Sequence, residues 1–223
     1  YSFRMSPDAL PALTEAGFDV LSVANNHAGD WGREAFTDTL TKLSDSQIVF
    51  VGGGLNINEA NALKIIEREG IRVGFLAASD VGPEWLRATE KTSGIALAND
   101  DKFYEAITKA KNEVDLVVAS FHFGDEYQTK SNTRQQTLAR RAIDAGANLV
   151  IGHHPHVRQE IEKYKAGLIA YSLGNFVFDQ NFSEETMTGL ALEVALNKSG
   201  KILDFEEHVV EINQDYHPNI TSL

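Results

Sequence analysis

Three apolar runs in this chain end on a histidine, and that recurrence restricts the fold more than any other feature. Asn148-Leu149-Val150-Ile151 leads into Gly152-His153-His154-Pro155-His156, Asp115-Leu116-Val117-Val118-Ala119-Ser120-Phe121 leads into His122, and Phe18-Asp19-Val20-Leu21-Ser22-Val23-Ala24 leads into Asn25-Asn26-His27. Short runs rich in Val, Ile and Phe read as buried strands. Polar groups gathered at their exits match an open α/β sheet, in which ligands bind outside the carboxyl ends of the strands. In extended backbone His154 and His156 point to one side and Pro155 stiffens the segment between them. Two neutral imidazoles are therefore expected to meet one cation there.

The remaining elements fall around these strands. Ser6-Pro7-Asp8 starts a helix that carries Leu10, Leu13 and Thr14 and stops at Gly17. After the turn Gly29-Asp30-Trp31-Gly32, residues 33–43 form a helix with Phe36, Leu40 and Leu43 on one face. Ile48 to Val51 is a strand closed by Gly52-Gly53-Gly54, a tight turn rather than a phosphate loop because no Lys-Ser/Thr pair follows. A hairpin around Glu69-Gly70 is preferred to a continuous helix, and residues 80–98, with Gly82-Pro83 and Trp85, read as a surface loop. Asn99 or Asp100 caps a helix to about Val114 that buries Phe103, Ile107 and Ala110. Residues 133–145 form another, stopped by Gly146, with Arg134, Arg140 and Arg141 as solvated charge. Hairpins follow around Ala166-Gly167 and through Asn197-Lys198-Ser199-Gly200-Lys201, so the C-terminal half is expected to be antiparallel. The tail from Asp215 reads as peripheral, and His208 and His217 as lying outside the site.

Composition narrows the chemistry. With 43% hydrophobic and 23% charged residues, residues 1–223 are expected to form a single domain. A net charge of -12 excludes a general nucleic-acid binder, which needs clustered Lys and Arg to neutralise phosphates. Without cysteine, any metal is held by His, Asn, Asp or Glu, a donor set suited to Zn, Mn or Fe. No apolar run reaches the roughly 18 residues of a membrane span. The chain opens on Tyr1 rather than Met, so a natural start carrying an anchor or earlier motifs is expected upstream. A metal-bound water with a nearby imidazole acid points to hydrolysis, with His27 protonating the leaving group.

Four stretches taken in order resemble the bacterial capsule-synthesis family typified by the CapA and PgsA proteins of poly-gamma-glutamate production. They are residues 16–27, ending in Asn25-Asn26-His27; residues 121–126, Phe-His-Phe-Gly-Asp-Glu; residues 151–156; and residues 171–178, Tyr-Ser-Leu-Gly-Asn-Phe-Val-Phe. The resemblance implies an offshoot of the calcineurin-like metallophosphoesterases: an α/β fold, a four-layer α/β/β/α sandwich with mixed sheets and a divalent-metal centre, two ions in the complete protein. It implies Asn26, His122, His154 and His156 as metal ligands and His27 as transition-state acid. Asn25 and His153 would stand behind these ligands, and Asn175 would order the site's edge. Family members begin with a strand bearing a Gly-Asp motif and then one bearing an Asn-Leu-Glu motif, and this sequence does not open on those strands. The N-terminal strands are thus expected to be missing, and Asp30, Asp125 and Glu126 are the candidate substitutes for their carboxylates.

Three functions compete. The first is a metal-dependent hydrolase or transferase acting on an anionic capsule polymer or its envelope linkage. The second is an ordinary phosphoesterase, for which Arg158 is the only basic residue close to the cluster in sequence. The third is a non-catalytic polymer-binding or scaffolding component among the subunits of a membrane synthesis complex. The resemblance places all three outside the cytoplasmic membrane, anchored through a segment absent from this chain.

Overall fold

The computed structural model describes residues 1–197 and 199–222. A short 3-10 turn at Pro7–Ala9 enters α1 (Leu10–Glu15), followed by β1 (Val20–Ser22), α2 (Gly32–Asp45), β2 (Val49–Val51), β3 (Gly53–Gly54) and α3 (Ile57–Ala60). Then come β4 (Lys64–Arg68), β5 (Ile71–Ser79), β6 (Gly94–Ile95), α4 (Asp101–Ala110), β7 (Leu116–His122), α5 (Thr133–Ala145) and β8 (Leu149–His153). The chain continues through β9 (Ile161–Tyr164), β10 (Gly167–Ala170), β11 (Thr188–Leu196), β12 (Ile202–Ile212) and β13 (Pro218–Ser222).

The central sheet has the order β4-β5-β7-β8-β10-β9. Its four inner strands run parallel, and β4 and β9 pair antiparallel at the edges. Side chains alternate across it, as a period of two requires. One face presents Leu76, Ala78, Val117, Ala119, Phe121, Val150 and Ile169, which pack under Phe103 and Ile107 of α4 and Leu138 and Ala142 of α5. The opposite face presents Leu116, Val118, Leu149 and Leu168 to Leu192, Val194 and Phe205 of the β11-β12-β13 sheet. Beside that sheet, Ala24 and Val51 lay the parallel β1-β2 pair against Ala77. Phe36, Leu40 and Leu43 of α2 then cover the outer side of this pair at Val23, Leu21 and Phe50. The layers are helix, sheet, sheet and helix, the expected α/β/β/α sandwich.

Several elements differ from expectation. Residues 80–98 are not a surface loop: Leu86, Ala88, Ile95, Leu97 and Ala98 are buried. Irregular backbone is tolerated inside only when its polar groups are paired, and here Ala96 N–H donates to the Gly52 carbonyl and Ala98 N–H to that of Ser79. Gly53 and Gly54 pair with β6 instead of closing a turn. The tail is ordered at the periphery as a strand, β13, which adds to the free edge of β12. The C-terminal half is not wholly antiparallel, because β10 rather than β9 lies beside β8, in parallel. Arg134, Arg140 and Arg141 do lie on the solvated side of α5, where they pair with Asp80, Glu162 and Asp101. Both hairpins form, the second across a connection whose Lys198 lies outside the described residues.

Phe121 is fully buried between Phe103, met edge-on at 5.3 Å, and Phe123, stacked at 5.2 Å. Phe121→Ala should lower unfolding free energy by about 3–5 kcal/mol, the range for emptying a well-packed aromatic site. A urea titration that shows less than about 1 kcal/mol would contradict this account of the core.

Candidate metal centre

Register sets the site. His122 pairs with His153 across β7 and β8, and Ser79 of β5 stands level with His122. Three parallel strands therefore end together. The turn after β1, residues 25–31, reaches the same edge and brings Asn26 Oδ1 to 2.8 Å from His122 Nε2. The Asn25 side chain accepts the His27 backbone N–H at 2.8 Å, which fixes the turn that presents His27. His27 Nδ1 then lies 2.9 Å from the Asp30 carboxylate, which also accepts the Phe3 N–H at 2.7 Å.

The strand ends at His153, so the extended-backbone expectation for His154 and His156 fails. Both adopt positive φ, 103° and 61°, a region that side-chain-bearing residues rarely occupy and that costs of order 1–3 kcal/mol each. The rings nevertheless converge: His154 lies 4.8 Å from the His122 ring and 6.2 Å from that of His156. His156 Nδ1 faces Asn175 Oδ1 at 2.8 Å, while Asn175 Nδ2 donates to the Thr186 carbonyl at 2.9 Å. Because the amide nitrogen is committed to a carbonyl, Oδ1 is the atom offered to the imidazole. His156 must then carry its proton on Nδ1, leaving Nε2 as a free lone pair. Gly152 allows the strand exits to close up, since a Cβ there would stand 2.0 Å from the Tyr171 carbonyl.

The donors fit a divalent cation. His154 Nδ1 is buried without a hydrogen-bond partner, a state that is costly unless something takes the lone pair or the proton. Burial, reinforced by the neighbouring imidazoles, holds the His122 pKa well below its usual value. Burial alone takes His153 to about 4, and it lowers His154 against the opposing pull of Glu126. These rings are neutral at pH 7, the form in which imidazole ligates. Donor atoms of Glu126, His154 and His156 all lie within 4.8 Å of one another. Asp125 is turned away to accept from Asn132 Nδ2 at 2.7 Å.

Sequence reasoning missed an aromatic rim. Phe3 meets the His27 ring edge-on at 4.5 Å, Phe178 lies 5.0 Å from His156, and Tyr127 stacks on His156 at 5.9 Å. Nothing in local spacing marks these residues, which come from distant segments. A cavity of about 690 Å³ is lined by His27 and Asp30 together with Phe3, Met5, Trp31, Phe36 and Leu43.

The description "Bacterial capsule synthesis protein PGA_cap" matches residues 1–180. The chain belongs to this bacterial capsule-synthesis family. It is 37% identical over 201 residues to the capsule biosynthesis protein CapA of Bacillus anthracis, covering 88% of this chain and 49% of that protein. It is also 37% identical over 198 residues to the PGA biosynthesis protein CapA of Bacillus subtilis strain 168, covering 88% and 52%. The chain thus spans about half the length of these curated relatives. A 5'-nucleotidase precursor from Thermus thermophilus superimposes with a TM-score of 0.61 at 17% identity, over 96% of this chain and 42% of that one. This family member accordingly shares its fold with that nucleotidase. No helix among its described residues is long and apolar enough to cross a membrane.

Replacing Asn175 by Ala should release the His156 ring. Long-range nitrogen-15 NMR correlations are expected to show the Nδ1–H tautomer in the parent and a mixture of tautomers in the variant. A tautomer unchanged by the substitution would remove Asn175 as its cause.

Proposed function

We propose that this chain carries the metal-dependent centre of a capsule-synthesis protein that hydrolyses or transfers an anionic envelope polymer of the poly-gamma-glutamate type, or its linkage. The observation that carries this is the meeting of Asn26, His122, His154 and His156 at one sheet edge beside a His27–Asp30 pair. Asn26, His122, His154 and His156 would hold the metal, Zn, Mn or Fe, with a second ion in the complete protein. Bound there, a divalent cation supplies a polarised substrate oxygen and a water whose pKa falls to about 7.

The chain's own residues do the rest. Asp30 accepts the Nδ1–H of His27 and is itself steadied by the Phe3 N–H, so the ring is oriented with Nε2 free to deliver a proton to the leaving group. Phe3, Tyr127 and Phe178 form an aromatic rim beside His27 and His156 against which a substrate chain could lie. An ordinary phosphoesterase would hold its phosphate through Lys or Arg. The carboxylates of Glu126 and Asp125 instead act on His154, and negative charge there favours a polarised carbonyl over a clamped phosphate. The working surroundings would be the outer face of the cytoplasmic membrane, with the subunits of a synthesis complex as partners.

Metal analysis followed by poly-gamma-glutamate cleavage and phosphoester assays tests this. His154→Ala should abolish both metal binding and turnover. His27→Ala should lose about 10²- to 10⁴-fold in rate with metal retained, the usual contribution of a general acid; turnover equal to the parent's would discard that role. Metal-free protein that still supports polymer assembly would make the chain a scaffold.

A further inference from the structure

We infer that Glu126, His154 and His156 form a three-donor site for one divalent cation, with Glu126 supplying the carboxylate from within this chain. The inference rests on the metal-centre reading above and adds to it the identity of the acidic ligand. Three carboxylates stand near the imidazoles, and the structure separates them. Asp30 is taken by the His27 ring and the Phe3 N–H, and Asp125 by the Asn132 side chain. Of the three, Glu126 offers an oxygen within 4.8 Å of ligand nitrogens of both His154 and His156.

Its position is built rather than incidental. The segment that carries it leaves β7 through Gly124 at φ 99° and Tyr127 at φ 62°. Tyr127 N–H donates to the Pro155 carbonyl at 2.8 Å, which ties this turn directly to the residue between the two histidines. Behind it, buried Gln159 donates to the carbonyls of Gln128 and Lys130 at 2.8 and 3.1 Å and accepts from buried Gln135 at 2.8 Å. The histidines are held to match. His156 keeps Nε2 free because Asn175 takes Nδ1, and His154 Nδ1 is buried with no partner.

The chemistry suits one cation. Two imidazoles and a carboxylate form a zinc set that leaves coordination positions open for water or substrate. Bonds of about 2.0–2.2 Å require the donors to draw in by roughly an ångström from their present spacing. Glu126 is exposed, so no packing opposes that move.

The test is equilibrium dialysis of residues 1–223 against Zn²⁺ and Mn²⁺, with bound metal counted by mass spectrometry and affinity measured by calorimetry. The parent should bind one equivalent. Glu126→Gln should weaken binding by at least about 100-fold, since even changes behind the ligands cost 10- to 100-fold, while Asp125→Asn should leave affinity unchanged. Glu126→Ala, with far-UV circular dichroism on both variants, guards against misfolding. Parent-like affinity in Glu126→Gln and Glu126→Ala overturns the inference. If His154→Ala still weakens binding in that case, the cation uses the Asn26–His122 donors and only Glu126 is excluded. If the parent binds no metal, or His154→Ala binds as the parent does, the metal-centre reading falls with it.

Discussion

The structure depends on the register of three parallel strands. Because Ser79, His122 and His153 stand level, the polar residues that follow each strand share one edge. A slip of one residue in β7 would turn His122 toward the helices and carry Phe121 and Val117 out of the core beneath α4 and α5. Apolar burial on both faces therefore enforces the alignment that gathers these residues, through the same contacts that stabilise the sandwich.

Against that rigid edge, the donors themselves sit on strained backbone. His154 and His156 both occupy the left-handed half of φ space, as does Tyr127 opposite them. Such strain, about 1–3 kcal/mol per residue, survives only where the surroundings over-determine it. Here the surroundings are identifiable: the Tyr127–Pro155 backbone bond, the Asn175 amide held by the Thr186 carbonyl, and the buried Gln135–Gln159 pair. Pro155 between the histidines further narrows the alternatives open to the turn. Pre-positioning lone pairs in this way lowers the ordering cost that a bound cation would otherwise meet.

A chain of net charge -12 repels polyanions at a distance, and the carboxylates of Glu126 and Asp125 act on His154 at this edge. Positive charge at this edge is the contribution a metal would make, beside the aromatic rim of Phe3, Tyr127 and Phe178.

Much was legible in the linear sequence because it is written in local periodicity. The apolar runs before His27, His122 and His153, the capped helix at 133–145 and the hairpin at Glu69-Gly70 each follow from side-chain pattern and turn chemistry. The candidate donors were legible for the same reason, as polar residues at strand exits. Tertiary structure alone decided the rest. The burial of residues 80–98 depends on partners at Gly52 and Ser79, and the pairing of β13 depends on an edge left open by β12. The choice among Asp30, Asp125 and Glu126 depends on which distant group each carboxylate meets. These contacts join segments far apart in the chain, so no window of sequence contains both halves of the interaction.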